Sequence, residues 1–180
     1  MPVVFDWKEE DFQTLIGNCP DEPVTPYILK YVPKEGRVLE AGCGSGRFVY
    51  YLNGLGYDIT GIEINPQTVE VLNRRYPELD IVQGDVRRLP FPDESFSGLL
   101  SLGVIEHVVE GLDEPIREMF RVLTRKGYAL VIVPSFNTVR KIKHAIGVYH
   151  AGEFAKSLTL VRKLFGKPPR NPQCSTEESR

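Results

Sequence analysis

An α/β fold, a doubly wound and mostly parallel sheet with helices on both faces, is the architecture this sequence predicts. Three observations carry it. Strand-like and helix-like segments alternate five times between Arg37 and Val133, the pattern of parallel strands joined by helical crossovers. A glycine-rich turn, Gly42 to Gly46, directly follows the first of those strands and opens a helix. The last strand, Tyr128 to Val133, is continuously apolar, as expected of a strand covered on both faces.

The elements follow in order. Asp6-Trp7-Lys8-Glu9 has the form of a capping box, with a short helix to about Ile16. Thr25 as N-cap and Pro26 at the first helical position start a second helix, continued by Tyr27 to Val32. Pro33 and Gly36 break the chain before a strand over Arg37 to Ala41, and Arg47 to Leu55 is helical. Asp58 to Glu63 is a second strand, and Asn65-Pro66 caps a helix to about Tyr76. A third strand, Leu79 to Gln83, ends in the turn Gly84-Asp85, and Phe96 to Leu102 forms a fourth. Asp113 to Leu123 is helical, with Ile116, Met119, Phe120 and Leu123 at apolar spacings of three and four, which leaves Arg117, Glu118 and Arg121 on a solvated face. Four regions result: 1–33 as a helical cap, 34–134 as the core, 135–166 as a basic helical segment, and 167–180 as a disordered tail rich in Pro, Ser, Glu and Gln.

Composition narrows the function classes. The chain has 180 residues, 42% hydrophobic and 26% charged, which suits one globular domain. Its longest apolar runs are far too short to span a bilayer. The acidic, polar start lacks the basic and apolar regions of a signal peptide, so a cytoplasmic location is the default expectation. Cys19, Cys43 and Cys174 lie far apart with no CxxC pair, which suggests neither a zinc site nor a disulfide framework. Charge is uneven: residues 1–134 carry 13 basic and 21 acidic side chains, whereas 135–172 carry eight basic ones against Glu153 alone.

Chemistry concentrates in Val38-Leu39-Glu40-Ala41-Gly42-Cys43-Gly44-Ser45-Gly46. Glycines in a strand-to-helix turn let the backbone approach a ligand closely and aim helix N-terminal amides at it. The dinucleotide fingerprint would place a small third residue at position 47, where this chain has Arg47, and here the third glycine comes one residue early. That spacing disfavours a nicotinamide-dependent oxidoreductase. Glu63, ending the second strand 17 residues after Gly46, is placed to accept hydrogen bonds from ribose hydroxyls. With Glu40 and Asp85 it makes three carboxylates at the carboxyl ends of three successive strands, a set better suited to a neutral or cationic nucleoside than to a polyphosphate.

In order and spacing, residues 34–134 resemble the class I S-adenosylmethionine-dependent methyltransferases, especially the small-molecule branch that includes ubiquinone-biosynthesis-type enzymes. The resemblance implies a Rossmann-like fold with S-adenosyl-L-methionine as cofactor. It places the Gly42, Gly44 and Gly46 loop around the methionine part, Glu63 on the ribose and Ile64 beside the adenine, with Glu40 and Cys43 of the same motif among the cofactor-binding residues. Gly84-Asp85-Val86 matches the family's adenine motif, with the Asp85 carboxylate near the exocyclic amine and the Val86 amide near the ring. Leu89 to Phe96 and Leu99 to Val108, including Leu102, resemble the fourth-strand region. Two departures stand out. Ser97 replaces the family's usual aspartate, for which a local capping change is expected. No strand pair is evident after Val133, so the family's usual sixth and seventh strands are expected to be missing.

Methyl transfer needs chiefly alignment of the acceptor and exclusion of water. For a hydroxyl acceptor, Glu106 and His107 beyond the fourth strand are the candidate catalytic pair. The same two residues also suit a plain role in capping or lining the next helix. Family members that bind a divalent metal here use Glu-x-x-Glu-His; Gly103 stands at the first position, and no metal is expected. Within 135–166 two basic amphipathic patterns fit packing on the acidic core, a lid over an apolar or anionic acceptor, or peripheral contact with an anionic membrane. No aromatic stacking pattern accompanies the basic residues, so nucleic acid is not an expected partner; oligomeric state is not specified. The expected function is methyl transfer to a small-molecule or lipid-like acceptor, the alternative being a catalytically silent cofactor-binding scaffold or a truncated methyltransferase fragment.

Overall fold

The computed structural model describes residue 7 and residues 11–108 and 111–133. Two units are distinguished, Met1–Pro134 and Ser135–Arg180, and every described residue lies in the first. Most of the Asp6–Glu9 capping box, the basic segment 135–166, the tail and any strands after Val133 therefore fall outside the described residues.

Ten elements are described: α1 (Asp11–Gly17), α2 (Thr25–Tyr31), β1 (Arg37–Ala41), α3 (Arg47–Gly54), β2 (Asp58–Glu63), α4 (Pro66–Arg75), β3 (Asp80–Gln83), β4 (Phe96–Leu102), α5 (Asp113–Val122) and β5 (Leu123–Ile132). The strands form one sheet in the order β3-β2-β1-β4-β5, every ladder parallel. Strand order reverses at β1, so a crevice opens at the carboxyl ends of β1 and β4, where open α/β sheets bind ligands. Both faces of the sheet are covered, and the two-residue period of β1 divides its side chains between two cores. Val38 packs with Phe48, Val49, Leu52, Leu72 and Leu100 on one side. Leu39 and Ala41 pack with Ile62, Leu99, Met119 and Val122 on the other. Each of the larger apolar side chains here contributes about 1.5–3 kcal/mol through burial.

Local chemistry sets most boundaries. Asn65 caps α4, its side chain accepting from the amides of Gln67 and Thr68 at 2.9 and 3.4 Å, with Pro66 opening the helix. Thr25 does not cap α2. The N-cap is Val24, and the Thr25 hydroxyl donates to the Cys19 carbonyl. The Ser97 departure resolves as a tie between strand ends: its hydroxyl lies 2.9 Å from the Glu35 carbonyl and 3.0 Å from that of Arg37.

Two expectations are corrected at the far edge. β5 starts at Leu123, not Tyr128, because Phe96 pairs with Leu123 and Gly98 already with Tyr128, so the residues between bulge out of register. Gly127 makes that bulge fit: a Cβ there would lie 3.1 Å from the carbonyl oxygens of Ser97 and Thr124. Among the described residues, β5 is also not covered on both faces. It is the outer strand of the described sheet, with Tyr128 56% and Val131 42% exposed.

α5 is also rotated from expectation. Pro115, Met119 and Val122 form its buried face, whereas Ile116 is 40% and Phe120 74% exposed. The rotation brings Glu118 and Arg121 against the loop after β3 instead of into a solvated face. Arg121 Nη1 donates to the Phe91 carbonyl and to Asp93 Oδ1, both at 2.8 Å, and Nη2 donates to the Leu89 carbonyl at 2.9 Å. Glu118 Oε2 accepts from the Leu89 amide at 2.8 Å and from Arg121 Nη2 at 2.7 Å. Arg121→Ala strands these acceptors and is expected to cost about 1–3 kcal/mol in denaturant unfolding. Arg125→Ala, at a side chain 91% exposed, is expected to cost less than about 0.5 kcal/mol.

Candidate active site

The turn between β1 and α3 is built on backbone conformations that side chains disfavour. Gly42, Gly44 and Gly46 have φ of 81°, 52° and 68°, all in the left-handed region where a Cβ is strained. Space is restricted as well: a Cβ on Gly42 would lie 2.6 Å from both methyl carbons of Val104. β2 anchors the turn from below. The Ile62 carbonyl accepts from the amides of Gly42 and Cys43, each at 2.9 Å. The Glu63 carboxylate accepts from the Gly44 amide at 3.0 Å and from the Asn65 amide at 2.9 Å.

Above this turn lies a cavity of about 270 Å³. Of the residues singled out in the sequence, Glu40, Gly42, Cys43, Gly44 and Glu63 line its floor. Ile64, Asp85, Val86, Leu102 and His107 complete its walls. Gly46 does not line it and serves as the N-cap of α3. Glu106 does not line it either. It shares a single 3-10 turn with His107, the Glu106 Oε1 to His107 Nε2 distance being 3.9 Å.

Glu40 is 3% exposed. Burial pushes its carboxyl up to about 8, against the pull of the Arg47 charge and a hydrogen bond from the Val49 amide, and with a further push from Glu63. Its Oε2 has no hydrogen-bond partner among the described residues. The Val49 bond has a consequence for ligand class. Gly46 brings no side chain to cap α3, and an internal carboxylate meets the helix N-terminus that would otherwise suit a phosphate. This supports the spacing argument against a pyrophosphate. Cys43 is buried, and burial pushes its thiol well above the ordinary range, which fits a small packing residue and not a nucleophile. Burial also pushes Asp85 up, but hydrogen bonds from the Arg87 side chain and amide outweigh it and hold the carboxyl below the usual range.

Several cavity residues carry no sequence signal. The Trp7 indole approaches Gly44 so closely that a Cβ there would lie 3.0 Å from it; its spacing suggested only a helix cap. Arg47 lines the cavity while Nη1 donates to Glu22 Oε1 at 2.7 Å. Val104 and Val108 add apolar wall beside His107. Arg87 was detectable in principle, two positions from Asp85 in a tight turn. Among the described residues, no group of three or more His, Cys, Asp or Glu side chains could hold a metal ion.

A family model described as a methyltransferase domain matches residues 39–131, just over half of the chain. The chain belongs to the class I S-adenosylmethionine-dependent methyltransferases. Among curated relatives, a phthiotriol/phenolphthiotriol dimycocerosates methyltransferase of Mycobacterium ulcerans is 37% identical over 135 residues, covering 69% of this chain and 49% of the relative. A fatty-acid O-methyltransferase of Mycolicibacterium smegmatis is 37% identical over 98 residues, 52% of this chain and 35% of the relative. This methyltransferase chain thus spans half or less of the length of these two relatives. A solved S-adenosylmethionine-dependent methyltransferase from Methanosarcina mazei is similar at 27% identity and a TM-score of 0.59, covering 67% of this chain and 62% of that one. A Pyrococcus horikoshii structure at 24% identity shares the fold, with a TM-score of 0.61 over 82% of this chain and 68% of that one. The ubiquinone-type branch is not singled out by these similarities. No helix among the described residues is long and apolar enough to cross a membrane.

The residues present fit the family's cofactor. A cradle that Cβ atoms would fill, a buried Glu40 oxygen without a partner among the described residues, and carboxylates at Glu63 and Asp85 suit a cationic nucleoside. Glu40 also gives the free protein a pH signature. A carboxyl with a folded pKa near 8 and an unfolded value near 4.5 binds more protons when folded between those values. Stability therefore falls as pH rises from about 4.5 to about 8. Glu40→Gln is expected to remove this decline: thermal melts of the variant and parent should agree near pH 4 and favour the variant above pH 8.

Proposed function

We propose that this chain transfers a methyl group from S-adenosylmethionine to a small-molecule or lipid-like acceptor. The observation that carries the reading is one cavity with two kinds of wall. Carboxylates at the ends of β1 and β2 and after β3 form one side, and Leu102, Val104 and Val108 form an apolar side next to His107. The names of the relatives that act on fatty acids and phthiotriol dimycocerosates support an apolar acceptor.

In this reading the chain's residues mainly bind, orient and exclude water. The Gly42–Gly46 turn lies along the methionine part, with Glu40 beneath it as a buried counter-charge. Glu63 offers its remaining lone pairs to the ribose hydroxyls. Asp85 and the Val86 amide read the adenine edge, and Ile64 packs beside it. When bound, the cofactor supplies an electrophilic methyl group. Alignment by the apolar wall contributes up to about 7–11 kcal/mol in favourable cases, and His107 accepts the proton of a hydroxyl acceptor.

Calorimetry with S-adenosylhomocysteine tests the site, and absence of binding to folded protein would overturn the reading. Glu63→Ala is expected to weaken binding by about 1–3 kcal/mol, since it removes the ribose acceptor and frees the Gly44 amide. His107→Ala is expected to leave that affinity within about twofold while slowing turnover of hydroxyl acceptors. Methyl transfer from labelled S-adenosylmethionine, assayed across fatty acids, isoprenoid quinols and small phenols, tests the reaction. Tight cofactor binding without turnover of any class would replace the transferase with a silent scaffold.

A further inference from the structure

We infer that Arg87 is a positioning residue for adenine recognition: its guanidinium fork fixes the Asp85 carboxylate as an oriented acceptor for the exocyclic amine. The inference rests on the reading of Asp85 as the adenine acceptor. What it adds is the origin of that acceptor's selectivity.

The turn after β3 is closed by two local bonds. The Arg88 amide donates to the Asp85 carbonyl at 3.0 Å, and the Arg87 amide donates to Asp85 Oδ1 at 2.9 Å. The Arg87 side chain then returns onto the same carboxylate. Nε lies 3.1 Å from Oδ1 and 2.9 Å from Oδ2, and Nη2 lies 2.5 Å from Oδ2. Both residues line the cavity, and their side chains are only 24% and 29% exposed, so water competes weakly for the pair.

Acceptor counting gives the consequence. An ionised carboxylate offers about four lone-pair sites. The Arg87 amide, Nε–H and Nη2–H bring three donor hydrogens to the two oxygens, the Nε–H shared between them, which leaves capacity for one more donor. A carboxylate held this way cannot rotate freely in the cavity wall or take up a proton readily, since the fork fixes both oxygens and stabilises their charge. It therefore rewards a donor at the purine 6-position and disfavours a base that lacks one. Lysine could supply the charge but not the planar two-point contact.

The test compares binding of S-adenosylhomocysteine with that of its 6-deamino purine analogue, which lacks only the amine, by calorimetry on the full chain. Parent protein is expected to prefer the amine-bearing ligand by about 10- to 100-fold, as for a hydrogen bond to a charged group. Arg87→Ala and Arg87→Lys are both expected to cut that preference about tenfold while leaving affinity for the deamino ligand within about threefold. Asp85→Ala is expected to abolish the preference. If Asp85→Ala retained it, the adenine assignment itself would be wrong. If Asp85→Ala lost it while both Arg87 variants kept it, Arg87 would have no positioning role. Equal weakening toward both ligands would reduce Arg87 to a structural contact, and tighter binding by Arg87→Ala would make it a competitor for the site. Each of those results overturns the inference.

Discussion

The Glu63 carboxylate holds the glycine turn and the start of α4 at once, its two oxygens accepting from the amides of Gly44 and Asn65. Three left-handed glycines in a row of five residues form a turn with little conformational preference of its own. Something outside the turn has to select one shape. β2 does so with its last two residues, through the Ile62 carbonyl and the Glu63 side chain. Because β1 and β2 are adjacent and in register from Arg37–Asp58 to Ala41–Ile62, that selection comes from the sheet itself. A ligand gripped by the turn is thus gripped by the sheet, and Glu63 supports the backbone while presenting charge to the cavity.

The same economy governs the electrostatics. Glu40 and Glu63 are both buried beneath the turn, an arrangement that isolated carboxylates would avoid. Glu63 is sustained by two amides. Glu40 is sustained by the Val49 amide and, at longer range, by Arg47, and this is not enough to keep it ionised at neutral pH. The free site is therefore short of positive charge. A cationic ligand supplies what the fold omits, whereas a phosphate would find the Val49 amide at the helix N-terminus already taken by the Glu40 carboxyl. Arg47, whose side chain broke the dinucleotide spacing in the sequence, is paired with Glu22 and so remains a wall of the cavity.

What was legible follows from the range of the forces involved. β1, β2 and β4 begin and end at the residues the sequence suggests, because breakers and glycines next to them act locally: Gly36 before Arg37, Gly42 after Ala41, Gly103 after Leu102. The carboxylates Glu40, Glu63 and Asp85 were legible for the same reason, each being tied to a strand end. The misread elements are those settled by distant partners. β5's start depends on which residue pairs with Phe96. α5 carries apolar residues on two adjacent stripes, and only docking against Leu99 and Ile105 selects the Met119 stripe. Arg121 looked like a solvent charge paired along its own helix with Glu118, because two of its other acceptors are backbone carbonyls of a remote loop, which have no side-chain signature. Trp7 packs at the margin of the core and reaches Gly44, with no periodicity to announce it.

The asymmetry between the two halves of the cavity has a chemical cause. Recognising a cofactor with a charged amino acid, a diol and a purine requires particular donors and acceptors at fixed places, and those leave residue types that sequence can show. Recognising a methyl acceptor in this family requires shape and dryness, which many combinations of aliphatic side chains supply equally. In the proposed reading Leu102, Val104 and Val108 supply such a surface, with His107 beside them. Val104 couples the halves: its methyls stand where any Cβ on Gly42 would have to go. The apolar wall and the glycine turn are therefore in direct contact, and a change in one shifts the other. On the proposed function, acceptor specificity would accordingly vary by repacking around Val104 and His107 while Glu40, Glu63 and Asp85 stay where the strands put them.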